Sequence, residues 1–282
     1  MFEKVNPAHP DKIADRIAGA IVDLAYSKQD DPKVAVECLI GHNTCRIINE
    51  TDTNITKNEV NDIVKRITFN PHLKEQLNIK VEYIEVKQDA KLAKNQSKEI
   101  RCGDNGIFKG MPITYEQKKL TKLVNSLFDK FPTDGKYIVN DYKLIMCQSY
   151  YDDYDKFVFT PLISEAFDYY PIICNPLGYW TGGVNVDTGA TNRKLGSDMG
   201  DAVTGGGLHG KDLSKADVSV NIYCHLLAQK EGREIKACCA IGDELIKVDW
   251  QLVLYSEIVK EAHKYIKSIG GFEKLAEWGL IR

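Results

Sequence analysis

What most restricts the fold is a recurring order of helix-period and strand-period segments along the 282-residue chain. From Ile13 to Tyr26 apolar residues fall at 13, 17, 20, 21 and 24, one face of a helix, and Asp11 stands just ahead, where a carboxylate can cap exposed amides. Val34 to Ile40 and Thr44 to Glu50 alternate around Gly41-His42-Asn43, which predicts a β-hairpin with a three-residue loop. Thr56 and Glu59 form a capping box that opens a second helix with Val60, Ile63, Val64 and Ile67 as its buried stripe. Ile79 to Val86 then reads as a strand. The middle of the chain repeats this order: a helix opened by Thr114 and Gln117, strand-like Tyr137 to Tyr150, and a helix from Phe157 to Tyr169. The last third does so again, with Ser214 to Gln229 helical, Glu234 to Ile241 strand-like and Leu254 to Ile266 helical. Helices that alternate with short strands in this way predict an α+β protein whose sheets are covered by helices on one face. We expect three related sheet-and-helix units, with boundaries at 1–104, 105–172 and 173–282.

One stretch breaks the pattern. Between Gly178 and Gly210 fall 10 of the 21 glycines, and charged residues are scattered among them. Such a stretch reads as loops that let backbone approach a ligand closely, and the charges scattered through it favour that over a flexible linker. Its surroundings decide where an anion could bind, because a net charge of -3 and a pI near 6.1 provide no general attraction for nucleic acid or an anionic membrane. Neither partner is expected. Eight cysteines, at 38, 45, 102, 147, 174, 224, 238 and 239, include no CxxC pair, which points to reduced thiols rather than a disulfide framework. No apolar leader follows Met1, and no run reaches the roughly eighteen apolar residues of a membrane-spanning helix. A soluble, cytoplasmic protein is expected.

Two constellations carry chemistry. His9-Pro10-Asp11-Lys12 sets an imidazole, a carboxylate and an ammonium at a helix start, beside amides that favour anions. Taken alone it reads more readily as a surface histidine and a simple cap. Arg193-Lys194, Gly205-Gly206-Gly207 and Gly210-Lys211-Asp212-Leu213-Ser214-Lys215-Ala216-Asp217 form the second. Lys211 and Lys215 share a helix face if the helix starts at the first of them. The segment is not a P-loop, since Asp212 follows Gly210-Lys211 where that motif needs Ser or Thr.

Taken together, these segments resemble the methionine adenosyltransferase (S-adenosylmethionine synthetase) family, with this chain as a shortened and divergent member. His9-Pro10-Asp11-Lys12-Ile13-Ala14-Asp15 resembles the family's HPDKIAD helix start, and Gly103-Asp104-Asn105-Gly106 its GDxG loop. Asn192-Arg193-Lys194, Thr204-Gly205-Gly206-Gly207 and Gly210 to Asp217 resemble, in order, its GRK, HGGG and GKDxSKxD series. Weaker likenesses are Val36-Glu37-Cys38, Asn49-Glu50-Thr51, Asp134-Gly135-Lys136 and Asn175-Pro176-Leu177-Gly178. The likeness runs from Phe2 to about Gly242.

The resemblance implies attack of methionine sulfur on the ribose 5′ carbon of ATP, with the triphosphate leaving and then being cut to phosphate and pyrophosphate. Charge grows on the leaving chain, so preorganised cations and a nearby donor are needed. By resemblance His9 is that donor, and Lys136, Arg193, Lys194, Lys211 and Lys215 clamp polyphosphate and substrate. The resemblance further implies that Asp11 and Asp217 hold magnesium and that Glu37 is a potassium-site carboxylate. It likewise implies that Glu50, Asp104, Asp134, Trp180 and Asp187 contact ATP or methionine, with Trp180 in place of a family phenylalanine stacked on adenine. A homodimer with active sites between subunits is implied as well. Pro7, Asn192 and Thr204 depart from the family's Glu, Gly and His, and the Gln88 to Arg101 stretch is shorter and more basic than its lid. Rival readings are a related tripolyphosphatase, an adenosyltransferase for another thioether, and a non-catalytic nucleotide-binding regulatory subunit.

Overall fold

In the computed structural model, which describes residues 1–70, 75–95, 100–140, 143–149, 159–167 and 170–282, the chain is α+β. Among these residues the strands form three four-stranded sheets and one short two-stranded ribbon. The first sheet has the order β11 (Thr188–Ala190), β2 (Val34–Gly41), β3 (Thr44–Thr51), β6 (Lys80–Val86). The second runs β1 (Phe2–Val5), β8 (Gly135–Asn140), β9 (Lys143–Gln148), β10 (Ile172–Cys174). The third runs β14 (Gln251–Leu254), β13 (Leu245–Val248), β12 (Ile235–Cys239), β7 (Gly106–Gly110). The ribbon pairs β4 (Phe69–Asn70) with β5 (Glu75–Gln76).

Three units do appear, but they are not contiguous in sequence. Each sheet borrows an edge strand: β1 leaves the N-terminal segment for the central sheet, β7 leaves the centre for the C-terminal sheet, and β11 returns to pair with β2. The boundaries 1–104, 105–172 and 173–282 therefore cut through sheets. The borrowed strands are only three to five residues long, too short to show a period, which is why they escape a reading based on periodicity.

Helices cover the inner face of each sheet. Helix α1 (Pro10–Lys28) packs on β2, β11, α2 (Lys57–Thr68) and α9 (Phe272–Trp278), and is buried on nearly all sides as far as Ala25. Helices α4 (Tyr115–Lys130) and α5 (Thr160–Phe167) cover the second sheet; α7 (Ala216–Glu231) and α8 (Tyr255–Ile269) cover the third. Two shorter helices, α3 (Ala90–Asn95) and α6 (Leu195–Met199), lie in the connections. One large core joins the first and third units, and a separate cluster built on Leu120, Leu127, Tyr137, Leu144 and Phe159 fills the second.

Both predicted capping boxes form: Thr56 with Glu59, and Thr114 with Gln117. The cap of α1 is a correction. His9, not Asp11, is the N-cap, its Nδ1 accepting the Asp11 amide at 3.2 Å, because Pro10 supplies a first residue with fixed φ and no N–H. The hairpin loop is also shorter than predicted, His42-Asn43 with φ of 47° and 60°, the left-handed pair that suits the strand twist. The predicted strand from Tyr137 to Tyr150 is two antiparallel strands, β8 and β9. Residues 157–158 and 168–169 of the predicted helix, Tyr150, and residues 96–99 of the Gln88 to Arg101 stretch lie outside the described residues.

The outer faces of the sheets stay open. On the first sheet the register sets Glu37 beside Ile48 and Ile84, and Ala35 beside Glu50 and Val86. Leu39, Ile48, Ile84 and Val86 are each more than 40% exposed there. The third sheet shows the same, with Ile107 70% and Leu252 66% exposed.

Candidate active site

The glycine-rich segment is not a linker. It contains β11, α6 and a short 3-10 turn, and it lies along the first turn of α1. Gly189 shows how closely: a Cβ there would sit 2.0 Å from the Pro10 carbonyl oxygen. This contact lets the Ala190 amide donate to Asp11 Oδ1 at 2.9 Å, and it delivers the next residues to the same carboxylate. Lys194 Nζ lies 2.8 Å from Asp11 Oδ2, and Arg193, more than half exposed, reaches within 3.7 Å of Oδ1.

Electrostatics at this point follow from burial and neighbours. Burial opposes ionisation of Asp11, but the hydrogen bonds from Lys194 and Ala190 outweigh it and hold its pKa below the ordinary value. Burial lowers the His9 pKa to about 4, against the pull of Asp11, so the ring is neutral at pH 7. Because Nδ1 accepts the Asp11 amide, the ring proton is assigned to Nε2. A neutral imidazole with a free Nε2–H donor thus stands beside a carboxylate and two cations. Lys136, paired with Glu3 at 2.9 Å on β8, and exposed Asp187 are near enough to act on the His9 charge.

Asp134 joins this group from the turn ahead of β8. It is buried, accepts the Gly183 amide at 3.2 Å, and burial raises its pKa to about 7. Trp180 is beside it, since a Cβ on Gly182 would touch both Asp134 and the indole. A cleft of about 230 Å³ opens here between Ala8, Arg16, Phe128, Asp134 and Gly183.

The second motif is adjacent. Lys211 Nζ pairs with Asp217 Oδ2 at 2.5 Å, and the Gly206 backbone passes so close that a Cβ would fall 1.8 Å from Asp217 Oδ1. Gly207 is packed in the same way on Asn192, the residue before Arg193. Lys211 and Lys215 do not share a helix face, because α7 begins at Ala216, with Lys215 as its cap residue and Lys211 in a bridge to Ala35. Asp217 turns back to Lys211 instead of facing away from it. Asp104 belongs with this segment: Gly103 donates to the Ser214 carbonyl at 3.0 Å, just ahead of Lys215. Glu37 accepts a hydrogen bond from Thr191 Oγ1, two residues before Arg193. Glu50 lies farther out, on the open sheet face, where Ala35 separates its row from Lys211.

One cluster escaped the sequence reading. Lys12, grouped there with His9 and Asp11 as part of an anion site, is fully buried and points inward, 2.7 Å from Asp198 and 3.1 Å from Asp15. His209 Nε2 completes the group at 2.8 Å from Asp198. Burial works against the charge on Lys12, but Asp198 and Asp15 outweigh it and raise its pKa. Among the described residues, Asp15, Asp198 and His209 offer donor atoms within 4.8 Å of one another, yet the Lys12 ammonium already supplies the positive charge there. We read the group as an internal ion cluster rather than a metal centre. Asn192 connects it to the site. With φ of 62° it takes the left-handed conformation that glycine would supply, and its side chain bonds the His209 backbone at 2.9 and 3.1 Å. The departure from glycine is thus accommodated, with an added brace.

Residues 1–97 match the family model described as S-adenosylmethionine synthetase, N-terminal domain. The S-adenosylmethionine synthase of Hyphomonas neptunium is 28% identical over 282 aligned residues, covering 80% of this chain and 71% of that protein. That of Mycoplasma capricolum is 25% identical, covering 85% and 76%. In shape the chain is similar to the solved structure described as an unusual S-adenosylmethionine synthetase from Campylobacter jejuni, with a TM-score of 0.78 at 19% identity, over 99% of this chain and 94% of that one. Fold and site define a three-sheet α+β enzyme with a mixed-charge cleft beside its first helix. Residues 1–97 thus match the N-terminal domain of S-adenosylmethionine synthetases, and the aligned 80–85% of the chain is similar to S-adenosylmethionine synthases at 25–28% identity.

Proposed function

We propose that the protein makes S-adenosylmethionine from ATP and L-methionine, releasing phosphate and pyrophosphate. The observation that carries this reading is the convergence on Asp11 of Lys194, Arg193 and a neutral His9 with a free Nε2–H. His9 donates to the triphosphate near the breaking bond. Lys136, Arg193, Lys194, Lys211 and Lys215 hold the phosphates and stabilise the charge that grows as they leave. Asp134, Asp187, Asp104 and Trp180 orient the nucleoside and methionine, and Glu50 contacts methionine.

Magnesium suits the donors present. Asp11 and Asp217 are carboxylates, the hard oxygen ligands that ion prefers, and each is matched to a lysine able to turn toward phosphate once a metal-bound triphosphate enters. Bound there, magnesium would neutralise polyphosphate charge. Glu37 is the carboxylate for potassium, supported by its position beside Thr191.

The apolar outer faces favour a homodimer, with a second copy covering Leu39, Ile48, Ile84 and Val86 and bringing Glu50 into a shared site. Among the described residues no helix is long and apolar enough to cross a membrane. Free thiols at all eight cysteines fit a reducing compartment, and we assign the enzyme to the cytoplasm.

Incubation with ATP, methionine, magnesium and potassium tests the reading. S-adenosylmethionine with matching phosphate and pyrophosphate is expected. Phosphate without adenosyl transfer would make the protein a polyphosphatase, product only with another thioether would move the substrate, and nucleotide binding without turnover would make it a regulator.

A further inference from the structure

Cys102 and Cys239 are 137 residues apart in sequence, yet their sulfurs are 3.3 Å apart. Backbone bonds on both sides enforce the meeting. The Cys102 amide donates to the Asp243 carbonyl at 3.0 Å, and the Gly242 amide donates to the Cys102 carbonyl at 2.7 Å, strapping Cys102 to the turn between β12 and β13. Cys239 is the last residue of β12, in register with Gly106. Both thiols point at one acceptor, the Asp104 carbonyl, at 3.0 Å from Cys102 and 3.6 Å from Cys239.

We propose that Cys102 and Cys239 form a reversible oxidation site that closes to a disulfide when a hydroperoxide reaches it. A disulfide needs its sulfurs about 2.05 Å apart, so the pair has little more than about 1 Å to close, over a contact the fold already holds. Cys102 is fully buried and Cys239 is half-buried, so the oxidant meets Cys239 first. The Cys239 sulfur attacks one peroxide oxygen, the O–O bond breaks, and the departing oxygen leaves as water with the thiol proton; Cys239 is now a sulfenic acid. The Cys102 sulfur then displaces that hydroxyl, the S–S bond forms, and the hydroxyl leaves as a second water with the Cys102 proton. Two thiols are oxidised by two electrons and one hydrogen peroxide is reduced to two waters.

Its place gives the bond an effect. Closure removes the Cys102 S–H donor from the Asp104 carbonyl and draws residues 102–104 toward β12. Gly103 is tied to Ser214, next to Lys215, so the same movement pulls on the segment that carries Lys211 and Lys215. The second close thiol pair, Cys38 and Cys45 at 3.7 Å, is buried between β2 and β3, two residues out of register, and lacks such access. Cys238, exposed one residue away, is an internal control for general thiol oxidation.

The full chain is treated with hydrogen peroxide at increasing dose, free thiols are blocked, and peptides are mapped by mass spectrometry before and after dithiothreitol. A Cys102–Cys239 cross-link, appearing before Cys238 is oxidised and lost on reduction, is the expected result. Oxidation of Cys238 with 102 and 239 still free thiols would overturn the proposal, as would sulfinic acid at Cys239 without a cross-link. Cys239→Ser should abolish the cross-link while folding normally, and Cys239→Ala repeats the test with a smaller side chain. The mapping reads chemistry at sulfur alone, so it stands or falls apart from the proposed synthesis. Where synthesis is measured, peroxide should lower it at least threefold in the unsubstituted chain, restored by dithiothreitol, and leave Cys239→Ser unchanged.

Discussion

Lys194 Nζ lies 2.8 Å from Asp11 Oδ2, joining the residue that precedes α6 in the glycine-rich segment to the first turn of α1. The pair is mostly buried, so neither charge is fully relieved by water. Removing the ammonium leaves Asp11 with Arg193, which is farther away and largely exposed. Lys194→Ala should lower kcat/KM for S-adenosylmethionine formation at least tenfold, about 1.4 kcal/mol of transition-state stabilisation. Steady-state kinetics at saturating magnesium check this, and an unchanged value would remove Lys194 from the phosphate clamp.

Asn192 separates two effects that are usually mixed. Asn192→Gly keeps the left-handed backbone and loses two hydrogen bonds to His209; Asn192→Ala loses the bonds and also strains the backbone. The alanine variant should be the less stable of the two by about 1 kcal/mol, and both should melt below the unsubstituted protein. Thermal denaturation of the three gives the order, and alanine melting above glycine would contradict it.

Breaking the buried cluster should cost more. Lys12→Met leaves Asp15 and Asp198 without their main counter-charge in a dry interior, a loss of about 3–5 kcal/mol. Urea unfolding measures it directly. A loss below about 1 kcal/mol would mean that His209 alone balances the two carboxylates.

Two buried groups give opposite pH dependences. Burial raises Asp134 from 3.8 to about 7, so between those values the folded chain keeps a proton that the unfolded chain has released, and stability falls as pH rises. Burial lowers His225 from 6.5 to about 4, so between those values the unfolded chain holds the extra proton, and stability falls as pH drops. Across the shared range of pH 4 to 6.5 the two oppose each other, which single substitutions expose. Asp134→Asn should steepen the loss toward acid, and His225→Gln should flatten it, in urea midpoints taken from pH 4.5 to 7.5. Parallel curves for all three proteins would refute both assignments.

Local rules made part of the molecule legible. Thr56 with Glu59 and Thr114 with Gln117 mark helix starts in the sequence and in the structure, because a capping box is satisfied within four residues. The strands β1, β7 and β11 were not legible, since each is defined by partners more than a hundred residues away rather than by its own pattern. In the site, motif order named segments that the fold brings together, but the directions of side chains did not follow from it. Lys12 and Asp11 are neighbours in one motif, yet Lys12 meets Asp15 and Asp198 while Asp11 meets Lys194 and Arg193, because the helix turns by about 100° per residue. Lys211 would share a helix face with Lys215 only if the helix began at Lys211; it begins at Ala216, and Lys211 bridges to Ala35, which nothing in residues 205–215 foretells. Asp198 and His209 carry no local signal; only the fold brings them to Lys12.

The borrowed edge strands limit how such a chain can be cut or shortened. A fragment ending near residue 97 would keep β2, β3 and β6 but lack Thr188–Ala190, leaving the β2 edge bare and ready to pair with another chain. The same weave confines harmless deletions to connections, since losing even a three-residue strand would unravel a neighbouring layer. Any shortening of such a chain has to spare the stitches and can thin only the cloth between them.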